Sequence, residues 1–325
     1  MLLAADVGGT KSLVGLFTAD SPRPREVVLR TYPTDAFPNF PAMLERFAAD
    51  TGPFSVDAAV AGVAGPVINQ CAIVTNIGWS VDARELAVLC NTARTRVLND
   101  LEAMASSIDA LAPDEIEVLQ AGMRDRNGNA ALIAAGTGLG VAVLHNVGGT
   151  LIPMPSESGH ADFAARTAGE VELLRRLQQR YGRATVEHAL SGQGFVHMFG
   201  VTHAGECQAG VNPEAEDAPA RISASGMSGA CRACREAVEM FVSVYGAEAG
   251  NLALRSLSTR GLYLGGGIAP KILPAIKLGG FMAAFHDKRP MTDIVTRMPV
   301  AVILNHHAAL LGAAVVAREM LTRSC

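Results

Sequence analysis

Two short glycine–threonine turns, Asp6-Val7-Gly8-Gly9-Thr10 and Gly136-Thr137-Gly138, occupy equivalent places in two blocks of the chain. Each follows an apolar run of strand type (Met1 to Ala5; Ala130 to Ala135) and leads into another (Leu13 to Phe17; Val141 to Leu144). A strand–tight turn–strand unit with glycine and threonine in the turn brings backbone N–H groups close to phosphate and adds a hydroxyl donor. One such turn is ordinary hairpin material. Two in matching register predict a duplicated α/β domain that grips a polyphosphate from both sides, and hence a nucleotide-dependent phosphotransferase.

At 325 residues the chain exceeds the size at which a single core stops growing, so two domains are expected. Apolar residues make up 49% and charged residues 18%, enough for sizeable cores and too few charges for extensive disorder. The net charge of −4, with scattered Arg and Lys, lacks the basic patch of a nucleic-acid binder. The amino terminus enters a strand without a basic n-region, and the longest apolar stretch, Ala130 to Leu144, is shorter than a membrane span. Neither a signal peptide nor a membrane segment is expected. Among the six cysteines, only Cys231-Arg232-Ala233-Cys234 has ligand-like spacing. No second Cys/His pair stands at zinc-motif distance, so this pair reads as two cysteines on neighbouring turns of a helix. A reduced, cytoplasmic protein is the expectation.

Strands are predicted at Leu2–Asp6, Leu13–Phe17, Val27–Thr31, Ala58–Val63 and Arg96–Leu98, with helices around Phe40–Ala49 and Glu85–Cys90. A helix from Leu101 to about Leu111 should stop at Ala112-Pro113, because the residue before proline leaves helical geometry. The second block repeats this grammar from Ala130, with a helix at Ala168–Tyr181. Gly205 to Ser228, rich in Gly, Pro, Ser and Glu, reads as a surface excursion. Arg232 to Ala253 has the spacing of a long helix or two, followed by a strand at Gly261–Leu264, a late strand at Val300–Leu304 and a helix at Ala308–Leu321. Alternating strands and helices give an α/β class.

Asp6 beside a phosphate turn would repel a nucleotide unless a cation lies between them, which implies Mg²⁺; a turn-supporting aspartate is the other reading. Asp100 ends a strand and begins a helix, as a helix-capping aspartate does. Gly136-x-Gly138-x-Gly140 lacks the G-x-G-x-x-G spacing of a dinucleotide site, and no Walker A sequence is present. Five motifs in order then carry a resemblance: Asp6-Val7-Gly8-Gly9-Thr10, Leu98-Asn99-Asp100, Gly136-Thr137-Gly138-Leu139-Gly140, Glu157-Ser158-Gly159-His160 and Leu264-Gly265-Gly266-Gly267-Ile268. Over almost its whole length the chain resembles the bacterial glucokinase family, within the actin–hexokinase–Hsp70 superfamily.

The resemblance implies two duplicated actin/hexokinase-like (ribonuclease H-like) domains around a central cleft, residues 1–110 plus 301–325 forming the small one and 111–300 the large one. It implies ATP and Mg²⁺ as cofactors, a homodimer, and transfer of phosphate from ATP to glucose at the start of glycolysis. Asp100 would be the base on the sugar 6-hydroxyl. Asn76, Asn99, Asp100, Glu157, His160 and Glu187 would bind the sugar, whose hydroxyls suit such acceptors. Ala5 to Thr10 (Ala5, Asp6, Val7, Gly8, Gly9, Thr10), Gly136, Thr137, Gly138 and Gly265, Gly266, Gly267 would bind the nucleotide, with Asp6 toward the metal. Trp79 would pack beside the cleft. Lys11 is shared with the related ROK sugar kinases, but those carry a cysteine-rich zinc motif after their sugar-loop histidine. Here His160 is followed by Ala161-Asp162-Phe163. Ser158, where many relatives have glycine, is a departure beside two implied ligands. Another hexose, another phosphoryl donor such as ADP or polyphosphate, and a non-catalytic sugar sensor remain as alternatives.

Overall fold

The apolar run after Met1, broken only by Asp6, forms β1 (Leu2–Val7), the middle strand of a five-stranded sheet. The structure, a computed structural model, describes every residue except Pro22, Thr75, Asn76, Ala204, Glu206 and residues 323–325. Strands β2 (Lys11–Phe17) and β3 (Glu26–Pro33) continue the sheet antiparallel on one side. After α1 (Phe40–Thr51), β4 (Ala58–Val63) pairs parallel with β1. A small antiparallel sheet of β5 (Val67–Ile68), β6 (Cys71–Ile73) and β7 (Ser80–Asp82) precedes α2 (Ala83–Cys90). Strand β8 (Thr95–Asn99) then pairs parallel with β4 and runs into α3 (Asp100–Ser106).

Side chains alternate across these strands. Leu3, Ala5, Val7, Ala59, Ala61 and Val63 face a core with Met43, Phe47, Trp79 and Leu86. Leu2, Ala4, Ala58 and Val60 face Ala103 of α3 and the helix that ends the chain.

The second sheet has the order β12-β11-β10-β13-β14-β9. Its strands are β9 (Ile116–Gln120), β10 (Ala130–Ala135), β11 (Leu139–Val147), β12 (Thr150–Ser156), β13 (Gly261–Gly265) and β14 (Val300–Ile303). From β12 to β14 the order and directions repeat those of the first sheet: two antiparallel pairings, then two parallel ones. Between β12 and β13 lie α4 (Ala168–Tyr181), α5 (Val186–Ala189), α6 (Gly192–Thr202), α7 (Ala218–Met227) and α8 (Arg232–Ser256). Four short helices follow β13: α9 (Ile268–Lys271), α10 (Leu273–Ile276), α11 (Gly280–His286) and α12 (Thr292–Val295). Helix α8 is buried along much of its length. Its Phe241 stacks on Phe195 at 4.1 Å, and the Tyr245 hydroxyl donates to the Ile133 carbonyl at 3.1 Å.

The last helix, α13 (Ala308–Thr322), returns to the first sheet. The chain thus divides into two compact units, Met1–Glu115 with Asn305–Cys325, and Ile116–Leu304. Where it leaves and re-enters the first unit, the Glu115 carboxylate accepts two bonds from the Arg23 guanidinium (2.6 and 2.7 Å) and one from Asn305 Nδ2 (2.8 Å). Those partners, the guanidinium first, hold its carboxyl below the usual glutamate value.

Three sequence expectations need correction. Helix α3 does not reach Leu111. Ser107 returns both its N–H and its hydroxyl to the Met104 carbonyl, and the chain tightens into a 3₁₀ turn at Ile108–Ala110. The Gly205–Ser228 stretch is no mere surface excursion, because α7 lies within it and buries Ala218 and Ile222 against the core. Cys231 and Cys234 are not unaccompanied on successive helical turns. Cys231 is the N-cap of α8, and His203 and Cys207 stand beside the pair.

Candidate active site

The turn joining β1 to β2 is held from inside by a residue the sequence did not single out. Thr34, fully buried, donates its hydroxyl to the Gly8 carbonyl and takes the Ser12 hydroxyl, both at 2.8 Å. Its N–H donates to the Thr10 carbonyl at 2.9 Å. The Gly8 N–H donates to the Lys11 carbonyl, and a Cβ at Gly8 would stand 2.8 Å from that oxygen. Only glycine fits there without moving the backbone.

Asp6 shares its strand face with Leu2 and Ala4, the face covered by α3. Its carboxyl is pushed up to about 6, chiefly by burial, then by the negative charge of Asp100, with Lys11 opposing. Asp100 is the first residue of α3. The N-cap is Asn99, which corrects the capping role read for Asp100: Asn99 Oδ1 accepts the Leu101 N–H at 3.0 Å, and its Nδ2 donates to the Gly65 carbonyl at 3.0 Å. The Asp100 Oδ1 also accepts from Leu101 N–H, at 2.8 Å. Two carboxylates are thereby brought to one end of the first sheet beside the glycine turn. Asn76 lies outside the described residues.

In the second unit the β10–β11 turn closes through Gly136 N–H to the Gly138 carbonyl, and Gly192 at the start of α6 donates to the Gly136 carbonyl, both at 2.9 Å. Glu187, implied by the resemblance as a sugar ligand, is built into this turn. Its Oε2 accepts the Leu139 N–H at 2.8 Å, and a Cβ on Gly138 would come within 2.6 Å of that oxygen. Its Oε1 faces His160 Nδ1 at 3.9 Å. Gly159 is buried so close to β11 that a Cβ would meet the Leu139 carbonyl at 2.2 Å. His160 N–H donates to the Glu157 carbonyl, and both side chains are exposed. The Gly265-Gly266-Gly267 turn follows the neighbouring strand: Gly266 has φ +79°, and a Cβ would fall 2.3 Å from the Ala135 carbonyl. The structure therefore gathers Gly136–Gly138, His160, Glu187 and Gly265–Gly267 at one end of the second sheet.

Thr34 and the Glu187 bond to Leu139 gave no signal in the sequence, because their partners are 26 and 48 residues away. The His203, Cys207, Cys231, Cys234 cluster did leave one, H-x₃-C followed by C-x₂-C, but at an interval longer than short zinc motifs use. Among the described residues no helix is long and apolar enough to cross a membrane.

Glycine turns on two sheets that share the order and directions of five strands, with carboxylates and a histidine beside them, fit a phosphotransferase of mixed α/β fold. The sequence profile of the glucokinase family matches residues 3–320. The glucokinase of Nostoc sp. (strain PCC 7120) is 35% identical over 340 residues, covering 98% of this chain and 99% of its own. That of Synechocystis sp. (strain PCC 6803) is 35% identical over 352 residues, covering 98% of each. The crystal structure of a glucokinase from an Antarctic psychrotroph superposes with a TM-score of 0.87 at 27% identity, covering 98% of both chains. The chain belongs to the glucokinase family.

Proposed function

We propose that this protein transfers the γ-phosphoryl group of ATP to the 6-hydroxyl of glucose, with Asp100 as the base. The observation that carries this reading is the pairing of Asp6 and Asp100 beside the Gly8 turn, close enough for each charge to act on the other. The two units act as the duplicated actin/hexokinase-like domains of such an enzyme, divided near 110 and 300. The homodimer implied by the resemblance belongs to the same reading.

Phosphoryl transfer passes through a loose transition state, so the base orients the hydroxyl and accepts its proton late. A carboxylate of ordinary basicity suffices. Asn99, whose amide gives one of its two N–H groups to the Gly65 carbonyl, has a donor to offer the sugar; Glu157, His160 and Glu187, with Asn76, take the remaining hydroxyls. Backbone N–H groups of the turns at Gly8–Thr10 and Gly136–Gly138 hold the phosphates, and Gly265–Gly267 lies against the nucleoside. Asp6 fits a hard divalent cation, because burial and the Asp100 charge outweigh Lys11 and leave its carboxylate under-compensated. Mg²⁺ bound there would neutralise charge on the phosphates. Exclusion of water around the reactants limits transfer to solvent.

ADP release from Mg-ATP across a panel of hexoses, with Asp100→Asn alongside, tests the reading. Glucose should give the strongest release, and the folded variant should lose about 10²–10⁴-fold in kcat. A preference for mannose, fructose or an amino sugar changes the acceptor, and turnover with ADP or polyphosphate alone changes the donor. Sugar-induced stabilisation without turnover would mean a sensor, and normal turnover in Asp100→Asn would remove the base.

A further inference from the structure

Four side chains that the reaction does not use converge where α6 ends and α8 begins. His203 follows α6, Cys207 lies just beyond it, Cys231 caps α8 and Cys234 stands in its first turn. Their ligand atoms all lie within 4.8 Å of one another. The Cys207 sulfur is 3.7 Å from the sulfurs of Cys231 and Cys234. His203 Nε2 is 3.5 Å from the Cys231 sulfur and 3.9 Å from that of Cys234. A tetrahedral ion with Zn–S of about 2.3 Å and Zn–N of about 2.0–2.1 Å has edges of about 3.8 Å between sulfurs and about 3.6 Å between sulfur and nitrogen. These four distances lie within about 0.3 Å of those edges. A disulfide would need sulfurs about 2.05 Å apart, and all three cysteines are free.

Surrounding groups aim the ligands inward. His203 Nδ1 lies 3.0 Å from the Phe199 carbonyl, which requires the proton on Nδ1 and turns the Nε2 lone pair toward the sulfurs. The imidazole is also stacked on the Phe199 ring at 3.6 Å. The Cys231 sulfur accepts the Cys234 N–H at 3.5 Å, at the N-terminus of a 25-residue helix, where a thiolate is favoured. A depression lined by His203, Gln208, Cys231, Arg232 and Glu236 opens the cluster to solvent and gives an ion access.

We propose that His203, Cys207, Cys231 and Cys234 bind one structural Zn²⁺. Four protein ligands close the coordination sphere, so the ion holds structure and takes no substrate. The site is separate from the sugar loop, since His160 is not among its ligands. It pins the end of α6 and the chain after it to the start of α8. The opposite end of α6 carries Gly192, which bonds the Gly136 turn, so the ion fixes the far end of a helix that supports the second phosphate turn.

The test is metal content of the full-length protein, purified under reducing conditions without chelator and dialysed against zinc. One zinc per chain is expected, falling to background in Cys207→Ser and Cys231→Ser and unchanged in Cys71→Ser, whose thiol lies elsewhere. Because Cys231 is buried and its variant can misfold, Co²⁺ exchange into the wild-type protein supplies a second readout. Tetrahedral thiolate bands should appear in the visible spectrum, and a chelator should lower the wild-type melting midpoint. Wild-type protein that takes up no zinc, wild-type zinc content in both cluster variants, a disulfide among the three cysteines in reduced protein, or an octahedral cobalt spectrum would each overturn the proposal.

Discussion

Asp6 opposes the folding of the chain that holds it. Its carboxyl titrates near 6 in the folded protein against 3.8 unfolded. The folded state thus binds the proton more tightly, and this group favours folding below pH 3.8, an advantage lost as pH rises through about 6. Near neutral pH the buried charge opposes folding by up to about 3 kcal/mol. Asp6→Asn, which keeps the shape and drops the charge, should therefore raise the melting midpoint of the nucleotide-free protein by a few degrees while abolishing turnover. A lower midpoint in scanning calorimetry would show that the carboxylate is satisfied in the free protein. At subsaturating Mg-ATP the wild-type rate should rise with pH through about 6, because metal-free Asp6 must lose its proton before the cation binds. Thr34 acts in the opposite sense. Thr34→Val keeps the volume but leaves the Gly8 carbonyl and Ser12 hydroxyl unpaired, which should destabilise by about 1–3 kcal/mol. Since Thr34 holds the turn without touching phosphate, urea melts should shift while the KM for ATP rises more than kcat falls.

Among the elements, α3 is positioned by the helix that closes the chain. A Cβ on Gly312 of α13 would lie 1.6 Å from the Ala103 carbonyl, so the two helices meet backbone to backbone. Gly312→Ala should push α3 outward, destabilise by about 1–3 kcal/mol and lower kcat/KM for sugar, because Asp100 begins that helix. Full activity with an unchanged melting midpoint would show that α3 has room to move. The sequence revealed α3 and α13 but not their contact, which joins residues far apart in the chain. Elements with a strong local pattern were legible: Ala58–Val63 and Ala168–Tyr181 form over those very residues. Strand β12 was hidden by Pro153 and Pro155, which an edge strand tolerates because its outer groups need no partner. Strands β5 to β7 are too short to alternate visibly, and α7 is built of small residues with little apolar contrast. In the candidate site, the glycine turns were legible because their chemistry is local. The Glu187 bond to Leu139 was not, and of the four-residue cluster only the Cys231–Cys234 spacing was legible, because only the folded chain brings His203 and Cys207 to it.

The molecule as a whole has one continuous unit and one discontinuous unit, and their folding should differ accordingly. Everything the second core needs lies between Ile116 and Leu304. The first unit depends on α13, whose Ala309, Leu310, Ala313, Ala314, Val316 and Ala317 cover Leu2, Ala4, Phe17, Ala58 and Val60. Burying one large aliphatic side chain contributes about 1.5–3 kcal/mol, and a domain's net stability is about 5–15 kcal/mol. Removing the helix that gives six of the fourteen buried residues of this cluster therefore exceeds what the remaining core can offset. A fragment of residues 116–304 should give a cooperative melt and dispersed amide resonances. Residues 1–115 alone should not, and should recover both when residues 305–325 are joined through a short flexible linker. The Glu115 bonds to Arg23 and Asn305 place the two ends to be joined side by side, so a linker of a few residues spans them. Cooperative folding of residues 1–115 without α13 would mean that the first sheet closes its own second face.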